Sequence, residues 1–186
     1  MSLNSSSYTT QNDLLLNNLM DFYAKDNNME TMLKIITGEC KISLRIVDWF
    51  ATNYAKKYYT LYAIDETRRF KVYVDYKLKL KAYSKKRFDP FCRWDRISIP
   101  YKDGTFIETT IGQLNFFKWA LENKVIQYIE DNYDTIEKDM NSRNSTSKRK
   151  ENVVDNSKTR KKREELSISA TKSIKKEKVE IVVQFN

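Results

Sequence analysis

The sequence has no histidine, three glycines, two prolines and two cysteines. Without histidine there is no imidazole base near neutral pH, no usual nitrogen ligand for a metal, and no Ser-His or Cys-His dyad. The glycines stand at 38, 104 and 112, so neither a phosphate loop of the Walker type nor a dinucleotide-binding GxGxxG can be built. Cys40 and Cys92 are far apart in a chain with no secretory signal, which predicts two reduced, buried thiols in place of a disulfide. Met1 to Asp13 lacks the basic-then-apolar plan of a signal peptide, and no stretch approaches the roughly 18 consecutive apolar residues of a membrane span. The acidic residues are scattered without a spacing that would build a carboxylate or metal-on-carboxylate site. The sequence therefore predicts a protein that is not an enzyme, with no cofactor and no metal.

What the chain does have is positive charge. Its 186 residues carry 34 Lys and Arg against 25 Asp and Glu, a formal net charge of +9, with a pI near 9.4. That balance favours a polyanionic partner, nucleic acid before an acidic membrane surface. The length suits one compact domain with tails.

Residues 1–12 read as a flexible polar leader. From Asp13, a candidate N-cap, Leu15, Leu16, Leu19, Phe22 and Tyr23 fall at helical spacing. A second short helix is expected over Met29 to Ile36, and the alternation of Ile42, Leu44 and Ile46 reads as a strand. Phe70 to Ala82 alternates apolar and lysine-rich positions with a period of two, predicting a long amphipathic strand paired in a hairpin with Tyr58 to Ile64. Short strands over Arg96 to Tyr101 and Phe106 to Thr109 would continue an antiparallel meander.

At Thr110 the period becomes helical. Thr110 and Gln113 form a capping-box pair, and Ile111, Leu114, Phe117, Leu121, Val125, Ile129, Ile136 and Met140 follow as the stripe of one long helix or two in succession. The stripe is expected to cover the sheet, with Trp119 at its margin in ordinary packing. The predicted class is thus α+β, with the core domain over residues 13–140. Residues 141–165 read as a disordered basic loop, and residues 166–186 as C-terminal strands returning to the core.

Charge concentrates in two places. Arg68 to Arg96 holds eleven basic and three acidic residues, and residues 141–165 hold nine and four. On a strand rising about 3.3 Å per residue, Lys77, Lys79 and Lys81 would stand roughly 6.7 Å apart on one face, a spacing suited to successive phosphates. Lys71, Lys85, Lys86, Arg87, Arg93 and Arg96 would extend this rail, with Tyr73, Tyr83 and Trp94 offering rings for base stacking. Lys148, Arg149 and Lys150, and then Arg160, Lys161, Lys162 and Arg163, form two further basic clusters. A solvent-facing lysine row also keeps sheets soluble, and that plainer role is the competing one.

The strings FDPFCRWDRI (Phe88 to Ile97), TTIGQLNFFKWALENKVIQYIE (Thr109 to Glu130), IEKDMN (Ile136 to Asn141) and RKKREELSISATKSI (Arg160 to Ile174) resemble an uncharacterised family of the nucleocytoplasmic large DNA viruses, such as mimivirus, phycodnavirus and iridovirus relatives. The resemblance covers most of Cys40 to Phe185 and implies a viral setting in an infected cell, in the nucleus, a cytoplasmic factory or the virion. Two functions fit that setting. One is a largely sequence-independent nucleic-acid-binding protein, with DNA the first partner to try. The other is a virion structural or scaffold-like protein that binds other virion proteins.

Overall fold

The computed structural model describes residues 10–151 and 176–178. Helix α1 (Gln11–Tyr23) starts at Thr10, whose hydroxyl accepts from the Asp13 amide while the Asp13 carboxylate accepts from the Thr10 amide. Thr10 is therefore the N-cap, and Asp13 closes the capping box from the third helical position. Helix α2 (Asn28–Thr37) follows and ends at Gly38 in the left-handed region.

The segment read as a strand at Ile42 to Ile46 is helix α3 (Leu44–Trp49), capped by the Ser43 hydroxyl on the Ile46 amide. It runs through a π-helical turn (Phe50–Tyr54) into a short helical stretch, α4 (Ala55–Lys57). Strands β1 (Leu61–Ala63) and β2 (Arg69–Lys71) pair antiparallel, with Tyr62 opposite Phe70.

The long strand expected over Phe70 to Ala82 is not formed. After β2 the chain is helix α5 (Val72–Arg87), with one non-helical residue at Ser84 (φ 58°). Strands β3 (Arg96–Pro100) and β4 (Thr105–Thr110) pair antiparallel, and β5 (Lys176–Lys178) adds to the free edge of β4. Among the described residues, two small sheets thus replace the single meander. A return of the C-terminal part to the sheet is present at β5, while residues 166–175 and 179–186 lie outside the described residues.

Three helices follow β4: α6 (Ile111–Glu122), α7 (Val125–Asp131) and α8 (Tyr133–Glu151). Thr110 caps α6 through the Gln113 amide, but the Gln113 side chain turns away from the reciprocal bond to reach Thr109 and the Pro90 carbonyl. Helix α6 is buried almost all round, from Gly112 to Phe117 and again at Trp119 and Ala120. It is the hub of the core, touched by α1, α2, α5, α7 and β4, and not a lid on one sheet face. The class is α+β. Helix α8 carries on to Glu151, through the start of the segment expected to be a loop.

Of the two cysteines, Cys92 is buried as expected, whereas Cys40 is exposed; both are free thiols. No helix among the described residues is long and apolar enough to cross a membrane.

Candidate nucleic-acid interface

Helix α5 carries six of the sixteen basic residues singled out from the sequence, Lys77, Lys79, Lys81, Lys85, Lys86 and Arg87, and its attachment decides which way they point. Val72 is buried, and Tyr73, Tyr76, Leu80 and Tyr83 are partly buried against the core. Tyr76 packs on Phe88 and Trp119, with ring centroids 5.9 and 6.0 Å away, and burial pushes its phenol up to about 12. The opposite face holds Lys77 and Lys81 beside Val74 and Leu78, which are 54% and 60% exposed.

The expected rail of Lys77, Lys79 and Lys81 does not exist. On a helix, residues two apart point to nearly opposite sides, whereas residues four apart share a face. Lys77 and Lys81 stay together, about 6 Å apart along the axis. Lys79 turns to the flank and is half-buried.

The C-terminal end of α5 is fixed by α6. The Arg87 carbonyl accepts from Asn115, and the Gly112 carbonyl accepts from the Asp89 amide. A Cβ at Gly112 would lie 2.9 Å from the Lys86 carbonyl oxygen, so the glycine permits this approach. Here the candidate cations are largely engaged. Arg93 makes a two-bond pair with buried Asp89, at 2.9 and 2.6 Å, and that bonding holds its guanidinium pKa above the usual value. Lys86 pairs with Asp95 at 2.9 Å, and Arg96 with Glu108 at 3.3 Å. Arg87 reaches Gln11 at 3.4 Å.

Lys71, Lys77, Lys79, Lys81 and Lys85 have no acidic partner among the described residues. Lys56, which the charge count passed over because it lies outside the Arg68 to Arg96 stretch, joins them. Its ammonium stands 5.8 Å from the Tyr73 ring centroid.

The three aromatic candidates do not share a face. Tyr83 is half-buried and stacks on Phe88 with centroids 6.4 Å apart. Trp94 is 42% exposed and lines a hollow of about 190 Å³ with Lys86, Arg87 and Asp95. Tyr73 lies in a different groove, with Tyr59 and Leu61. Lys148, Arg149 and Lys150 sit on the α8 backbone, and Arg160, Lys161, Lys162 and Arg163 lie outside the described residues.

A model of a family of unknown function, DUF7197, matches residues 2–186. The chain belongs to that family. It is 42% identical, over 159 residues, to an uncharacterised protein of Acanthamoeba polyphaga mimivirus. The match covers 81% of this chain and 61% of the relative, so the chain spans under two thirds of that protein's length. The likeness to large DNA virus proteins drawn from residues 88–97, 109–130, 136–141 and 160–174 thus has its counterpart in a mimivirus relative. No solved structure matches the chain.

Proposed function

We propose that this viral protein is a non-enzymatic nucleic-acid-binding protein whose contacts to phosphate are largely independent of sequence. The observation that carries the reading is the set Lys71, Lys77, Lys79, Lys81 and Lys85, clustered on and beside one helix with no carboxylate partner among the described residues. An ammonium already paired with a carboxylate gives up that bond to gain a phosphate, whereas an unpaired one releases only counterions from the polymer. Lys77 and Lys81 on the outward face are the core of the surface, and Arg93, Arg96 and Lys86 contribute less because each already holds an acidic partner. DNA is the partner to try first, in the nucleus or cytoplasmic factory of the infected cell.

Fluorescence anisotropy with labelled DNA and RNA at two salt concentrations tests this. Binding should weaken steeply with salt, and K77E/K81E should flatten the log–log salt slope by about 2 while leaving the circular dichroism spectrum unchanged. Binding that is absent at low salt, or a slope the double variant leaves intact, rejects the assignment.

A second reading, an interaction protein of the virion, is favoured by the exposed side chains of Val74, Leu78, Tyr59 and Leu61 beside the same lysines. Co-purification with other virion proteins that survives nuclease treatment would favour it.

A further inference from the structure

Beside the first turn of α5, the chain leaves α4 and enters the β1–β2 hairpin, and a groove of about 520 Å³ opens there. That size lies within the roughly 300–1,000 Å³ of small-ligand sites. It is lined by Tyr59, Leu61, Tyr73 and Val74, with exposed Lys56 and Lys71 and no acidic residue in the lining.

Two features mark it as more than a crease. Tyr59 is held at φ 49° and is 88% exposed, a backbone region that bulky side chains rarely enter and that costs free energy unless the surroundings enforce it. Its ring is thereby presented to solvent beside the groove. The lining also carries no carboxylate, and the Lys56 ammonium stands 5.8 Å from the Tyr73 ring centroid.

We infer that this groove takes one unpaired base of a single-stranded nucleic acid. The rings of Tyr59 and Tyr73 offer π faces, and Lys56 and Lys71 meet the flanking phosphates. The inference rests on the nucleic-acid reading above and deepens it by naming single strands as the substrate class. Charge decides the occupant, because unpaired lysines in a lining without carboxylates complement a polyanion. Helical geometry continues the track: Tyr73 stands at the margin of the core-facing side, and Val74 and Leu78 lead from the groove onto the outward face that carries Lys77 and Lys81. Stacking on aromatic side chains is tolerant of sequence, as a general single-strand binder requires.

The test compares three labelled probes by anisotropy: a short oligothymidine, a strand of equal length built from abasic deoxyribose-phosphate units, and a duplex. Wild-type protein should bind the oligothymidine about tenfold more tightly than the abasic strand, and this ratio should persist as salt rises because the phosphate contribution is common to both. In Tyr59→Ala the ratio should fall towards one. The Tyr59 side chain is exposed, so this variant should melt no lower than wild type, which separates loss of the site from loss of the fold. Equal affinity for the oligothymidine and the abasic strand overturns the groove while leaving the phosphate surface standing. A tenfold ratio that survives Tyr59→Ala also overturns it. No binding to any probe overturns both, and an acidic peptide becomes the occupant to test.

Discussion

The indole Nε1 of Trp119 donates to the Asp75 carboxylate at 2.6 Å. One charge-assisted bond therefore ties the first turn of the basic helix α5 to the buried hub α6. In Asp75→Ala the indole, which is 3% exposed, is left without its acceptor. The cost should be about 1–3 kcal/mol in urea unfolding, with a change in tryptophan emission in the native state. Unchanged stability would mean that aromatic packing alone holds α5.

Asp139 on α8 is the counterpart on the other side of the core. It accepts from Trp49 (3.1 Å), Lys57 (2.8 Å) and Tyr58 (3.1 Å). Burial pushes its carboxyl up, but the bonds from Lys57, Trp49 and Tyr58 outweigh this and hold its pKa below the ordinary value. The stability it contributes is therefore fully present above the unfolded carboxylate pKa and is lost as pH falls through the lowered folded one. Asp139→Ala should cost about 2–3 kcal/mol at pH 7. That difference should shrink in melts taken below pH 4.

Asp48 behaves in the opposite sense. Burial, reinforced by the nearby Asp89 carboxylate and only partly offset by Arg93, raises its pKa to about 6. Between the unfolded value near 3.8 and 6 the folded protein binds the extra proton, so stability falls as pH rises through that window. Asp48→Asn should match wild type near pH 3 and exceed it by up to about 2–3 kcal/mol at pH 7.5. A gap independent of pH would exclude this titration.

Gly112→Ala should be destabilising although it sits in a helix, where alanine is ordinarily the better residue. The added methyl meets the Lys86 carbonyl at 2.9 Å, backbone that cannot swing aside. A loss of about 1–3 kcal/mol is expected in urea unfolding.

The N-cap at Thr110, the paired strands β3 and β4, the helices before Gly38 and the packing of Trp119 were legible in the sequence because each rests on local chemistry. Helix α5 was not. Val72, Tyr76 and Leu80 lie four apart, a spacing that satisfies both a period of two and a helical repeat. The alternating lysines completed the strand pattern. What separates the two is tertiary: Trp119, Phe88 and Phe116 form an aromatic surface that takes Tyr76 and leaves Val74 and Leu78 in solvent. The choice of a partner surface is not written in either period. In α3 a local signal did exist, since Ser43 three residues before Ile46 is an N-cap arrangement, but the short alternation across it fitted a strand equally well. The groove at Tyr59 and Thr60 had no sequence signature, because it arises from a backbone reversal and the approach of α5.

The β1–β2 hairpin has only three residues per strand, a size that is marginal on its own in water. Yet Tyr62 stacks on Tyr128 at 4.8 Å and donates its hydroxyl to the Asn123 carbonyl, while Phe70 lies 6.2 Å from Trp119. Peeling the hairpin away would open the aromatic core. Its amides should therefore exchange with deuterium on the timescale of global unfolding, together with those expected of buried α6, and not at the rate of a surface ribbon. The smaller of the two described sheets would then belong to the slowest-opening unit.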